Sequence, residues 1–295
     1  MIHSVGILAV ILVLVPILGI HTYNTAYSST SFSIYDNIQT NFDNPLPLPL
    51  PFEVPQLDQE EKIDTQIEDD SESQPAEMAA TASTSCMASV YDNFDSQYFL
   101  GEGQTSPNGE WKNVYSGLGS TGVKNVDWRS VFYLSPKAST SPSETHAALV
   151  ESTDKFCNFN MKVDMNTVKQ LRQNSPDNTW EVGWLFFRYS DTFHYYWLAV
   201  KPNGIELGKK DCGSCTNPVD GQKFLVTKST PTLKMNTWNK ITVDMVGNQI
   251  KVYFNGNLVI NYIDKTMSPK LASGSLAMYS EDAYVLYNNM DVSPK

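Results

Sequence analysis

The groups in this chain with chemistry to offer are carboxylates, a few histidines, four cysteines and a dense set of aromatic rings. Glu181, Asp191 and Glu206 lie in or beside strand-like stretches. They are the candidate acids and bases for cleaving a glycosidic bond, although they come from different strands. Trp184, Arg188, Tyr195 and Trp197 form the candidate binding set. Flat rings lie against the C–H faces of a sugar, while Arg and Tyr bond its hydroxyls. The competing reading is that both faces of this hairpin are packed. His194, close to Asp191 and Arg188 in sequence, is a further acid/base candidate; His146 is the other histidine after residue 85.

The cysteines are Cys86, Cys157, Cys212 and Cys215. Cys212-Gly-Ser-Cys215 sits in a loop-like stretch, and a local disulfide between Cys212 and Cys215 is expected outside the cytoplasm. A zinc site would need Cys86 and Cys157 as a second pair. Gly117-Leu-Gly-Ser-Thr-Gly122 matches a dinucleotide fingerprint, but it lacks the following helix that such a site needs and reads as a loop. No nucleophile elbow, phosphate loop or paired-histidine metal motif occurs.

The elements that must position these groups are strands. Cys157, Phe159, Met161, Val163 and Met165 alternate with polar residues, one dry face against one wet face. Trp180–Tyr189 and Phe193–Lys201 flank Ser190-Asp-Thr192 as a hairpin. A four-residue loop there pairs Trp184 with Ala199, Phe186 with Trp197 and Arg188 with Tyr195 on one face. Leu185 then meets Leu198, Phe187 meets Tyr196 and Tyr189 meets His194 on the other, the core face. Ile241–Val246 and Ile250–Phe254 flank Gly247-Asn248. Asn255-Gly256 marks the next hairpin. A three-residue loop there pairs Phe254 with Leu258, Val252 with Ile260 and Ile250 with Tyr262. The one helical candidate, Asn166–Asn174, has too few apolar residues. Antiparallel strands with a turn about every ten residues predict an all-β sandwich or jelly roll.

Charge divides the chain. Of 32 acidic and 21 basic residues, 12 acidic and one basic lie in 21–85, and none in 1–20. Residues 86–295 are therefore neutral overall, and the net charge of −11 belongs to the segment before them. This balance excludes a generally basic nucleic-acid binder. It also disfavours electrostatic docking to an anionic membrane. Val5–Ile20 is an apolar run of signal-peptide length, with an uncleaved membrane anchor as the alternative. Residues 21–85, with prolines alternating from Pro45 to Pro55 and an acidic run behind them, read as a disordered linker. The expected product is a secreted or cell-surface domain over 86–295, tethered to the membrane only if the N-terminal segment stays uncleaved.

From Trp180 onward the order of features is more specific. Gly183-Trp-Leu-Phe-Phe-Arg188, Asp191 and Tyr195-Tyr196 resemble the central hairpin of concanavalin A-like lectin/glucanase domains. Gly247-Asn-Gln-Ile-Lys-Val-Tyr-Phe-Asn-Gly256, Gly274-Ser-Leu-Ala-Met-Tyr279 and Glu281-Asp-Ala-Tyr284 resemble later strands of that superfamily, and Asp92-Asn-Phe and Trp111 suit its opening. Within it, the chain is similar to secreted 3-keto-disaccharide hydrolase-like and glycoside hydrolase family 16-like domains. The resemblance implies a concanavalin A-like jelly roll over about 90–290. The Glu-x-Asp-x-Glu triplet of family 16 does not occur in 86–295, so its catalytic assignment is not carried over. Calcium binding between opening and closing strands, common in the superfamily, points to Asp92, Asp95, Asp282 and Asp291. The leading expectation is carbohydrate binding on the aromatic sheet face. The alternatives are a glycoside hydrolase and a structural or adhesion module of the cell envelope. Exposure of Trp184 and Trp197 separates the first from the last.

Overall fold

A computed structural model describes residues 86–215 and 221–295. The N-terminal apolar run and the proline-rich acidic segment lie outside the described residues. The strands follow one another as β1 (Val90–Asp92), β2 (Tyr98–Phe99), β3 (Trp111–Tyr115), β4 (Ser120–Val126), β5 (Arg129–Ser135), β6 (Ala147–Ser152), β7 (Phe159–Gln170) and β8 (Gly183–Asp191). After them come β9 (His194–Lys201), β10 (Gly204–Asp211), β11 (Gln222–Lys228), β12 (Asn239–Val246), β13 (Gln249–Phe254), β14 (Asn257–Ile263), β15 (Ser275–Glu281) and β16 (Ala283–Pro294).

They build two antiparallel sheets. One runs β14-β13-β12-β7-β16-β5-β4-β2, with β1 added beside β16; the other runs β11-β10-β9-β8-β15-β6-β3. The expected all-β sandwich is therefore the observed one. Its core lies between the sheets. Phe159, Met161, Val163 and Met165 of β7 are buried from one side; Leu185, Phe187, Tyr196, Leu198 and Met278 are buried from the other. Phe159 and Phe187 meet across the gap with ring centroids 6.2 Å apart. Gly183 leaves room for the facing sheet: a Cβ there would lie 2.6 Å from Val285 and 2.9 Å from Met165.

The β8–β9 hairpin keeps the expected register from Trp184↔Ala199 to Phe187↔Tyr196. Beyond that it departs. The register shifts and the next pair is Asp191↔His194. Arg188 takes a φ of 50°, in the left-handed region. This bulge turns Arg188 inward and brings Tyr189 to the face that Arg188 was expected to occupy. The β13–β14 hairpin shows the same kind of departure. Val252↔Ile260 and Ile250↔Tyr262 pair as expected, but a shift after Val252 gives Phe254↔Asn257 and a two-residue turn. The glycine-rich match near Gly117 is a turn leading into β4, with Gly117 at φ 59°.

All four cysteines are bridged, Cys86 to Cys157 and Cys212 to Cys215. The expected local bridge is present, and the zinc reading falls because no thiolate remains.

Candidate functional site

The outer face of the seven-stranded sheet carries the side chains that alternate with the core set. Two rows cross the strands there. One reads Glu151, Ala277, Phe186, Trp197, Gly208 and Phe224 from β6 to β11. The other reads Leu149, Tyr279, Trp184, Ala199 and Glu206 from β6 to β10. Small residues stand beside large ones, so the rings tilt over their neighbours. Trp197 lies across Gly208, where a Cβ would come within 1.9 Å of the indole. Gly208→Ala is expected to destabilise the fold by about 1–3 kcal/mol through overpacking. Trp fluorescence during urea unfolding measures this; an unchanged midpoint would mean that the indole moves freely.

The rings pack on one another. Phe186 is stacked between Tyr195, at 4.6 Å, and Tyr279, at 4.7 Å. Trp184 meets the edge of Tyr279 at 5.9 Å and stands 6.4 Å from Trp197. Trp184 is 9% exposed and Trp197 1%. The two tryptophans are therefore support for the face rather than open platforms, and the exposure that was to mark a binding face is not found at either of them. Tyr195 and Tyr279 keep partial exposure, and Phe224 is 60% exposed.

Arg188 does not join this face. Its guanidinium donates to the Cys157 carbonyl, at 2.6 Å from Nη2, and to the Leu271 carbonyl, at 2.9 Å from Nη1. Burial pulls its pKa down to about 10. Among the expected ligand residues, the structure thus brings Trp184, Tyr195 and Trp197 together and sends Arg188 elsewhere.

The expected carboxylates are also dispersed. Glu181 is fully buried and paired with Arg172 at 2.5 Å. Asp191 is half exposed at the hairpin tip, 2.8 Å from Nδ1 of His194. Glu206 is paired with Lys201. The calcium candidates do not converge either. Asp92 accepts from the Phe94 N–H, Asn108 and Trp111; Asp282 accepts from Ser139, the His146 N–H and Arg172; Asp291 pairs with Lys162; Asp95 is exposed. Among the described residues no group of three or more His, Cys, Asp or Glu side chains is placed to hold a metal.

Sequence reasoning missed a further carboxyl group on the aromatic face, which also carries Glu151 and Glu206. Glu281 ends β15, two residues after Tyr279, and the Tyr279 hydroxyl donates to its Oε2 at 2.9 Å. Burial pushes the Glu281 carboxyl up to about 7, helped by the negative charges of Asp282 and Glu181 and opposed by the Tyr279 hydrogen bond and by Arg172. Burial also holds the Tyr279 phenol well above its ordinary value. Tyr287 fixes the site from beneath, donating to the carbonyls of Tyr279 at 2.8 Å and Trp184 at 3.2 Å. Glu151, farther along the face, is likewise raised by burial, with Lys112 and Lys155 opposing. The alternation Ser275, Ala277, Tyr279, Glu281 was the available signal. It points to one face only once β15 is known to lie beside β8.

The two antiparallel sheets thus form a sandwich whose seven-stranded sheet carries an aromatic outer face. The family model described as a 3-keto-alpha-glucoside-1,2-lyase-like domain matches residues 117–293. The chain belongs to that family. Similar solved structures include a carbohydrate binding module, CBM66, from Bacillus subtilis, 15% identical, with a TM-score of 0.45, covering 66% of this chain and 99% of that one. A Bacillus licheniformis beta-glucanase is 15% identical at a TM-score of 0.43, covering 70% and 98%. An immunostimulatory antigen and pseudo beta-1,3-glucanase of Mycobacterium tuberculosis is 10% identical at 0.43, covering 70% and 98%. No curated protein matches the chain.

Proposed function

We propose that the outer face of the seven-stranded sheet binds a carbohydrate, and that Tyr195, Tyr279 and Glu281 make the polar contacts. The observation that carries this is the Tyr279–Glu281 pair at the end of the Tyr279–Phe186–Tyr195 ring stack. Rings and hydrogen-bonding groups side by side suit a molecule with C–H faces and hydroxyls. Trp184 and Trp197 hold the stack in place from the neighbouring strands. The role expected of Arg188 passes to these residues.

A second reading, cleavage, is favoured by Glu281. A carboxyl group with a pKa of about 7 exchanges protons at neutral pH. The two carboxyls of a retaining hydrolase stand about 5–5.5 Å apart, whereas Asp282 and Glu181, the acids that raise the Glu281 carboxyl, are both buried on Arg172. One proton-transfer group suits an elimination better. In a 3-keto-glucoside the C2 proton beside the carbonyl passes to the Glu281 carboxylate, a C1–C2 double bond forms, and the C1–O bond breaks as its oxygen takes that proton from the Glu281 carboxyl. The family's name supports this substrate class.

The domain is proposed to work outside the cytoplasm, presented on the N-terminal segment. The two disulfides support this compartment.

The test is retention of the full chain on a panel of neutral glycans and 3-keto-glucosides, with product analysis of the unbound fraction. Tyr279→Phe is expected to weaken retention about tenfold, the value of one hydrogen bond. Equal retention of wild type and variant would overturn the site. Retention without any new product would leave binding and remove the elimination reading.

A further inference from the structure

Lys209 is a fully buried lysine that the aromatic face does not use. It lies on β10 opposite Tyr196 of β9, whose ring is stacked on Phe187 with centroids 5.4 Å apart. Its Nζ donates to Asp264 Oδ2 at 2.8 Å, and both side chains are 0% exposed. Asp264 follows β14, the edge strand of the nine-stranded sheet, so this contact ties the two sheets together. A second carboxylate stands at the same nitrogen. Asp211, two residues along β10 and 8% exposed, reaches Nζ at 3.2 Å. The Thr266 carbonyl accepts from Nζ at 2.7 Å.

The two oxygens of Asp264 are held differently. Oδ1 accepts from the Thr266 N–H and the Thr266 hydroxyl, each at 2.9 Å. Oδ2 accepts from Lys209 and, at 2.7 Å, from the Tyr196 hydroxyl. Fixed donors on one carboxyl oxygen stabilise the negative charge that gathers there when a nucleophile adds to the carbon. A donor on the other oxygen helps it depart. An amine removed from water and held against a carboxyl group has the orientation that such an addition needs. Burial raises the Asp264 carboxyl, but the hydrogen bonds from Lys209, Tyr196 and Thr266 outweigh it, so the pair rests as ions. Both ions have lost their hydration, which offsets much of their attraction and brings the neutral amine and acid within reach.

We propose that Lys209 and Asp264 are a modification site, joined in the folded domain by an intramolecular amide bond with Asp211 as proton carrier. Nζ passes one proton to Oδ2, and the freed amine forms a C–N bond to the Asp264 carboxyl carbon. Charge collects on Oδ1 under the two Thr266 donors. Asp211 takes a second proton from Nζ and delivers it to Oδ2. The C–Oδ2 bond then breaks, water leaves, and Oδ1 becomes the amide carbonyl. Nζ loses two protons, both carried off in the water, and Asp211 ends as the carboxylate it was. No oxidant or cofactor is required. Ser268 holds Asp211 in place, donating to it from its N–H and its hydroxyl. The product is a covalent staple between the sheets.

The test is tandem mass spectrometry of tryptic peptides from the purified full chain, after denaturation and reduction. The expected result is one branched species, the peptide holding Lys209 joined to the peptide holding Asp264, lighter than their sum by one water. Two separate peptides of full mass would overturn the proposal, as would a lost water that maps to other residues. Lys209→Arg keeps the charge but is expected to abolish the branched species. Asp211→Asn is expected to slow joining by about 10²–10⁴-fold, followed from the start of refolding, as loss of a positioned proton carrier should. Joining at the wild-type rate would remove Asp211 from the step. Where a variant fails to fold, the wild-type peptides decide.

Discussion

Arg172→Met is expected to destabilise the domain by about 3–5 kcal/mol, the largest single effect foreseen for the charged residues near the candidate site. Removing one partner of a buried ion pair leaves the other as an uncompensated buried charge. Here two are left, because Glu181 and Asp282 both lean on the same guanidinium and both are fully buried. The triad also ties together distant parts of the chain. Arg172 follows β7, Glu181 precedes β8 and Asp282 joins β15 to β16. Urea unfolding followed by circular dichroism measures the loss. The companion variant Lys162→Met breaks an exposed pair with Asp291 and is expected to change stability by less than about 1 kcal/mol. Equal effects of the two variants would mean that the buried triad contributes no more than a surface pair.

Glu281→Gln is expected to lower turnover of a 3-keto-glucoside by about 10²–10⁴-fold, the usual contribution of a positioned acid/base group. Gln keeps the size and the ability to accept from Tyr279 but cannot transfer a proton. The wild-type rate should bend near pH 7, where the carboxyl titrates, and the bend should vanish in the variant. The same pKa has a stability consequence of opposite sign to that of most carboxylates. Its folded-state value, about 7, lies above the ordinary 4.5. The folded chain therefore holds this proton more tightly, and the resulting stability is fully present below about 4.5 and lost as pH rises through 7. Glu281→Gln should match wild type in melting temperature at pH 4 and exceed it by about 5 °C at pH 8. A difference independent of pH would mean that Glu281 ionises at an ordinary pKa.

Where the sandwich was legible, a local pattern carried the information. The alternation in β7 survives as Phe159, Met161, Val163 and Met165 on the core side, because a period of two has only one dry face to offer. Asn255-Gly256 places a turn where the structure has one. The four pairs from Trp184↔Ala199 to Phe187↔Tyr196 follow from matching two apolar alternations across a short loop. The Cys212–Cys215 bridge is the same kind of local event, its partners three residues apart.

Where the reading failed, a contact between distant residues decided. Arg188 sits in an aromatic, outward-looking pattern. Its bulge is set by carbonyls at Cys157 and Leu271, which a strand pattern does not encode. Glu181 looked like a lone carboxylate available for chemistry, yet Arg172 and Asn178 bind it. Glu281 was not among the candidate acids, yet β15 carries it to the aromatic face, since Tyr279 pairs with Trp184 from 95 residues earlier in the chain.

The sequence by itself determined the fold class, the strand alternation, the local disulfide and the neutrality of residues 86–295, because each follows from residue types at short spacing. Tertiary structure alone decided which ionisable group the aromatic face presents. Burial and the field of Asp282, Glu181 and Arg172 set the Glu281 proton, and those depend on strands that meet only in the folded sandwich.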